Sequence, residues 1–470
     1  MRTLKALRTL GVDGAVGYTL LARVAGIVGS TGTVLLIVRF LSPIEQGYYY
    51  TLLSLAALQT IFELGFSFVI LQLAAHESAL LTVHPDGRIE GDPAAHARLA
   101  SVLQLTVRWY LRAAIALAFV LLPLGILFFS KKTAPVSWIG PWVAAALAVS
   151  ATFLLTPLFS FLEGCNHVRQ VARLRMFQAL IVLAISWAAI ASGHGLYACA
   201  LVNLGWIAAG AAFLFNRRKL VLSLLRYSSS ESGVSWRDEI WPFQWKIAVS
   251  WLCSYFTMQV FTPILFVFRG PEEAGRMGLT LSVVGYLPIV ALCWMTPKAA
   301  PFGQLVKCGR LLELDALFFK TFKQSVALIS LMAGLCLLAV IGVHYTLPKI
   351  AGRMETPAIF LLLLLAATGS FVVQSMAVYL RSFKREPYLV QSVTVAGLTL
   401  MGILFAASRG GSAAVSILYF SFSGVLGLLW AAAIFRTSRN SLLEKPCYRG
   451  AKSASSSANT AVYSGDLNGI

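Results

Sequence analysis

Apolar residues run along this chain in stretches of about 20, the length a helix needs to cross a hydrocarbon core at roughly 1.5 Å per residue. Reading with that ruler gives twelve predicted spans: 17–38, 47–75, 104–130, 138–162, 176–192, 195–215, 244–268, 274–297, 322–345, 355–380, 388–408 and 411–435. The fifth and sixth are parted only by Ser192-Gly193-His194-Gly195. The opening residues MRTLKALRTL are basic and helical in pattern and lead into an apolar stretch too long for a signal-peptide core, so an uncleaved first span is expected. The predicted fold class is an all-α integral membrane protein.

One short phrase occurs twice. Pro43, Glu45, Gly47 and the pair Leu53-Ser54 fall on Pro271, Glu273, Gly275 and Leu281-Ser282 at a constant offset of 228 positions. Ser42-Pro43-Ile44-Glu45 has the chemistry of a helix start: a capping serine, proline at the first helical position, and a glutamate three past the cap to reach back to its amide. Gly270-Pro271-Glu272-Glu273 repeats it with glycine as the cap. The copies begin the second and eighth spans, six crossings apart, so two halves of like orientation are expected. These are two six-helix lobes related by a parallel pseudo-two-fold axis along the membrane normal, with a central cavity between them. The predicted boundaries are an N-terminal lobe 1–215, a cytoplasmic linker 216–243, a C-terminal lobe 244–435 and a basic tail 436–470, rich in Ser, Ala, Asn and Gly from Ala451 onward and expected to be disordered.

Composition agrees with a membrane solvent: 58% hydrophobic and 12% charged residues over 470 positions, where soluble domains carry about a quarter charged. The formal charge is +19. In a soluble protein that excess would suggest nucleic acid, but no basic domain exists to hold it, so no nucleic-acid partner is expected. Its distribution sets an orientation instead. Of 38 Lys and Arg, 27 fall in the segments that share a face with both termini and 8 in the opposite turns. Both ends are therefore expected in the cytoplasm. Among the inside segments, KAAPFGQLVKCGRLLELDALFFK (298–320) has the basic amphipathic pattern of a helix lying along the anionic inner leaflet.

Charged groups inside spans need a partner or a cavity. Arg23 sits in the first span, followed at helical spacing by Gly26, Ser30 and Thr33; Gln59, Glu63 and Ser67 form one polar stripe in the second; Gln104, Arg108 and Arg112 form another in the third. Arg23 and Glu63 can form a structural ion pair, contact a substrate, or both. Residues 113–129 nearly suffice as a span, so Arg108 and Arg112 are expected to reach the inner headgroups. The seventh span carries Lys246, Ser250, Ser254 and Thr257 in register, with Trp241, Trp245 and Trp251 read as interface anchors, and the tenth carries Ser370, Gln374 and Tyr379.

The run FLSPIEQGYYYTLLSLAALQTIFELGFSFVILQLAAHE (40–77) resembles polysaccharide-exporting flippases, O-antigen flippases among them, of the multidrug/oligosaccharidyl-lipid/polysaccharide (MOP) exporter superfamily. That resemblance, carried by residues 17–77 and the twelve-span layout, implies a secondary transporter of undecaprenyl-diphosphate-linked oligosaccharide, with polysaccharide-assembly proteins as possible partners in the same membrane. A diphosphate cannot cross hydrocarbon unpaired, and guanidinium offers a permanent charge with a fork of donors for phosphate oxygens. Arg23 is then the first headgroup candidate, with Glu63, Gln59, Lys246 and Gln374 as further substrate contacts. Glu63 could instead carry a proton or sodium ion.

Competing readings are a multidrug extruder of the same fold, a membrane glycan polymerase or ligase, and a scaffold of a glycan-assembly complex. The outside turns are too short for the catalytic loop a polymerase needs. No Walker motif, nucleotide loop or nucleophile elbow occurs, so no enzymatic activity, catalytic residue or cofactor is expected. The seven cysteines lack CxxC spacing, and His76, His84, Asp86, Asp92 and His96 fit no metal-ligand pattern, so no metal site is expected.

Overall fold

The computed structural model describes residues 14–63, 65–83, 89–130, 135–227, 241–295, 298–307, 309–383 and 387–443. Apart from a two-stranded antiparallel hairpin, Leu81–Val83 with Ile89–Gly91, the described regular elements are helical. Among the described residues, eight runs are long and apolar enough to cross a membrane by length and composition. Four additions bring that number to the twelve predicted spans. Run Ile139–Ala191 contains two crossings, joined by a π turn, Glu163–His167, in which Asn166 adopts φ 64°. The second span is in three pieces, Pro43–Ala56, Gln59–Glu63 and Phe66–Ser78, and the seventh in two, Trp241–Met258 and Phe261–Arg269. The first span is the helix Gly14–Phe40.

Two compact units emerge. The first comprises 1–283, 343–356 and 400–415, and the second 284–342, 357–399 and 416–470. In the first unit, helix Gly14–Phe40 packs on Val168–Ala191, which packs on Ala198–Asn216; that helix meets Ile139–Leu162, which in turn meets Pro93–Phe129 and Phe66–Ser78. Glycines permit the closest of these approaches. A Cβ at Gly32 would run into the Trp187 indole, whose Nε1 donates to Thr33 Oγ1 at 3.0 Å.

Helix ends depart from the predicted spans where a start signal lies beyond the apolar run. The third helix begins at Pro93, eleven residues before the predicted 104, because Asp92 caps it by accepting from the Ala94 and Ala95 amides at 3.2 and 3.3 Å. The tenth begins at Pro357, which leaves Glu355 in the preceding turn. Segment 298–320 is not one surface helix. Ala299–Lys307 and the start of Leu311–Thr346 bury Phe302, Leu311, Leu314 and Phe318 in the core of the second unit, against Tyr379, Ala431 and Phe435. That face is used by protein packing, while Leu312 and Phe319 of the same segment stay exposed. In the same unit, Asp315 accepts from Tyr379 Oη at 2.6 Å and from Arg439 Nη2 at 2.5 Å, tying together three helices.

Candidate functional site

The repeated phrase marks a place where equivalent residues touch. Ser42 caps the first copy with the expected box: its amide donates to Glu45 Oε2 at 2.8 Å, and its Oγ accepts from the Glu45 amide at 3.2 Å. Gly270 opens the second copy at φ 101°, a conformation only glycine adopts easily, while its amide closes the preceding helix on Leu265 and Phe266. The two helices cross at matched positions. A Cβ on Gly275 would stand 2.9 Å from the Gly47 amide nitrogen, and one on Gly47 would overlap the Pro271 carbonyl. One turn on, Tyr50 covers Gly278, its own counterpart, and Tyr50 Oη meets Ser282 Oγ at 3.4 Å. Positions 47 and 275, 50 and 278 are pairs under the 228-residue offset, so equivalent positions of the two copies meet at this crossing.

Turns from elsewhere in the first unit close over it. Gln46 Nε2 donates to the carbonyls of Gly275 (2.9 Å) and Arg353 (3.0 Å); Arg353 donates to Gln46 Oε1 at 3.4 Å and to the Leu41 carbonyl. Glu273 differs from its counterpart Glu45: it accepts from the Ser412 amide. Glu355 donates its amide to Thr280 Oγ1 at 3.0 Å and accepts from Ser412 Oγ at 3.1 Å on Oε2. Its side chain is buried, the residue being 5% exposed, and Oε1 has no partner among the described residues. Burial pushes the carboxyl up to about 7, Glu273 adding to the rise and Ser412 and Arg276 opposing it. Sequence reading missed this cluster. Its members stand far apart in the chain, and the only signal was the second glutamate of the repeat.

Glu63 ends the short middle piece of the second span, beside Ser67 one turn on. Ser67 Oγ lies 3.2 Å from Tyr110 Oη, and Tyr110 is fully buried among Phe66, Trp109 and Phe153. Gln59 opens the same piece and is half-buried. The predicted polar stripe is thus carried by a broken helix. Non-helical backbone at membrane depth occurs only where protein or a water-lined cavity receives it. Tyr110, which sequence reading passed over as one more aromatic in the third span, becomes the neighbour of the Glu63–Ser67 pair.

The remaining predicted residues are placed as follows. Arg23 lies on helix Gly14–Phe40 and Lys246 on Trp241–Met258, but both side chains fall outside what the structure describes. Gly26, one turn beyond Arg23, has nothing within 4 Å of a built Cβ, whereas Thr33 is engaged by Trp187. Arg108 and Arg112 are exposed, on the face that also shows Leu111, Ile115 and Phe119. Gln104 does something not foreseen: its Nε2 donates to the carbonyls of Leu224, Leu225 and Tyr227 at 3.2, 3.3 and 2.8 Å, closing the end of helix Arg218–Arg226. In the second unit Gln374 is exposed, while Tyr379 is engaged by Asp315. Of the histidine-rich loop, Asp92 is a helix cap and His96 stacks on Tyr227 at 4.3 Å; His84 and Asp86 lie outside the described residues.

These helices, with their breaks and paired starts, define a multi-pass helical membrane protein with the twelve-helix fold of MOP-superfamily transporters. Among solved structures, the lipid II flippase MurJ in an inward closed conformation is similar at a TM-score of 0.61 and 13% identity, over 91% of this chain and 90% of that one. The multidrug transporter DinF-BH, solved with a compound bound, matches at 0.61 and 14%, over 92% and 97%. A Pyrococcus furiosus MOP transporter, whose binding pocket of reverse polarity suggests a different function, matches at 0.53 and 12%, over 92% and 98%. No family model and no curated protein matches the sequence.

Proposed function

We propose that this protein is a flippase that moves a lipid-linked oligosaccharide, with the undecaprenyl-diphosphate carrier the sequence resemblance implies, from the inner to the outer leaflet of a bacterial cytoplasmic membrane. It works by alternating access and makes no covalent change. The observation that carries the reading is the permanent cation Arg23 on the first predicted span, set against a single span carboxylate, Glu63, while Arg108 and Arg112 stand on the exposed face of the third. A diphosphate requires cationic donors, whereas a cationic drug requires carboxylates. Fold alone favours neither, since a flippase and a drug exporter match at the same TM-score. The Pyrococcus transporter supports the use of polarity to tell them apart. The charge bias among the loops assigns both termini, the 76–103 loop and the 216–243 linker to the cytoplasm, and the Pro43, Pro271, Glu355 and Ser412 turns to the outer face.

The test is reconstitution into vesicles with a fluorescent undecaprenyl-diphosphate oligosaccharide, reading leaflet exposure with a membrane-impermeant quencher. Protein-dependent exposure that falls at least tenfold in Arg23→Ala, at equal protein level, is expected. No exposure above empty vesicles refutes the reading. The multidrug alternative rests on the equal likeness to the multidrug transporter DinF-BH. It predicts uptake of a cationic dye, ethidium, by the same vesicles, lost in Glu63→Gln and unaffected in Arg23→Ala.

A further inference from the structure

We propose that Glu355 is a proton-binding site that couples outer closure to the proton concentration outside: the protonated carboxyl holds the outer turns together, and its loss of the proton releases them. This rests on the orientation given under the proposed function, which puts the turn on the outer face. The site is built from three separated stretches of the first unit. Thr280 fixes the Glu355 backbone, Ser412 donates to Oε2, and Oε1 is sealed from solvent with no partner among the described residues.

The charged groups around it do not neutralise an ionised carboxylate. Arg276, on the helix of the second phrase, lowers its pKa, but Glu273 on the same helix raises it, and burial outweighs both. Arg353 on its own turn is turned to Gln46 and the Leu41 carbonyl, with Glu45 and Glu272 as its nearer acidic neighbours. Arg269, beside Gly411, donates to the Ala407 carbonyl. A neutral carboxylic acid suits this setting because it removes the buried charge.

The direction follows from linkage. In the closed turn burial raises the carboxyl to about 7, while in an opened, hydrated turn it returns toward its ordinary 4.5. The closed form therefore binds the proton more tightly, so closure is favoured below pH 7 and lost as pH rises through it. With those two values the closed-to-open ratio falls roughly tenfold between pH 6 and pH 8.

The experiment places spin labels at Arg39→Cys and Lys349→Cys, both exposed and on either side of the Leu41–Arg353 contact, in the full chain with its seven native cysteines replaced by serine. Distance distributions are recorded in nanodiscs from pH 5 to 8.5. The expected result is a short-distance population that titrates near pH 7 and, in Glu355→Gln, stays short at every pH. A pH-independent distribution in the parent, persistence of the titration in Glu355→Gln, or a population that follows sodium at fixed pH would each overturn the proposal. If Glu355→Gln does not fold, Ser412→Ala decides: removing the donor to the carboxylate must move the midpoint up, and an unmoved midpoint refutes the site. No substrate is needed, so these distances can titrate while vesicle flipping fails, or the reverse. Impermeant thiol labelling of Lys349→Cys in intact cells reports separately whether the face is outer.

Discussion

Replacing Gly47 by alanine should open the crossing of the two repeated helix starts. The perturbation is one methyl group, and its surroundings decide its cost. At Gly47 a Cβ would overlap the Pro271 carbonyl, which is backbone and cannot rotate away. Helix propensity alone favours alanine over glycine by about 1 kcal/mol. Forcing a methyl into a filled backbone contact costs about 3 kcal/mol, the upper end for overpacking, because neither helix can yield without losing Gln46 from the Gly275 carbonyl. The net is about 2 kcal/mol against the packed crossing, a roughly 30-fold fall in its population. Gly26→Ala is the internal control: nothing lies within 4 Å of its built Cβ, so only the favourable propensity remains. The assay is the spin-label distance between positions 39 and 349 at pH 6, where the packed form dominates in the parent. Gly47→Ala should move most of the signal to longer distances, Gly275→Ala should do so less, and Gly26→Ala should leave it unchanged. A Gly47→Ala distribution that overlays the parent would refute the account of the repeat as a close helix crossing.

Two further outcomes can be measured on purified protein. Arg439→Met strands the carboxylate of Asp315 with Tyr379 as its remaining described partner; since the arginine side chain is 29% exposed, water moderates the loss to about 2 kcal/mol. Adding Asp315→Asn should recover most of that loss in chemical denaturation, and failure to recover would show that the pair acts through packing alone. Gln104→Leu removes three hydrogen bonds from the end of helix Arg218–Arg226. Amide exchange across 218–227 should accelerate about tenfold, with the rest of the first unit unchanged.

Where the chain wrote its chemistry locally, it could be read. Ser42, Pro43 and Glu45 form the expected capping box because every partner lies within four residues. The repeat was legible for a related reason, since equal positions under one offset had to do equal work, and Gly47 and Gly275 meet. Glu355 was not legible. Its neighbours in sequence are Met354 and Thr356, and its environment comes from Thr280 and Ser412, 75 and 57 positions away. Segment 298–320 is the opposite case: its amphipathic pattern states that one face is apolar and not whether lipid or protein covers it, and Phe302, Leu314 and Phe318 pack on protein. The break after Ala56 had no breaker to announce it, because Ala57 and Leu58 are good helix formers. Only Gly65, at φ 68°, left a mark in the second span.

That unannounced break shows how far the repeat reaches. Under the offset the first span pairs with the seventh and the second with the eighth, yet the broken spans are the second and the seventh, which are not partners. They are neighbours in space: Gln59–Glu63 packs on Trp241–Met258, and Pro43–Ala56 packs on Phe261–Arg269. One interaction explains how the break is tolerated. In a continuous helix the Ser54 carbonyl would accept from the Leu58 amide, but that amide turns to Leu55, and Tyr255 Oη donates to Ser54 at 3.2 Å instead. Tyr255 comes from the last turn of its own helix before the gap at Gln259 and Val260, so each interruption lies against the other. A buried carbonyl without that donor would cost about 1–3 kcal/mol, enough to favour a straight helix and to carry Glu63 away from its present place beside Tyr110. The symmetry of the two phrases thus governs how the helix starts meet. The departure from symmetry, sealed by one tyrosine, sets where the second span's carboxylate stands.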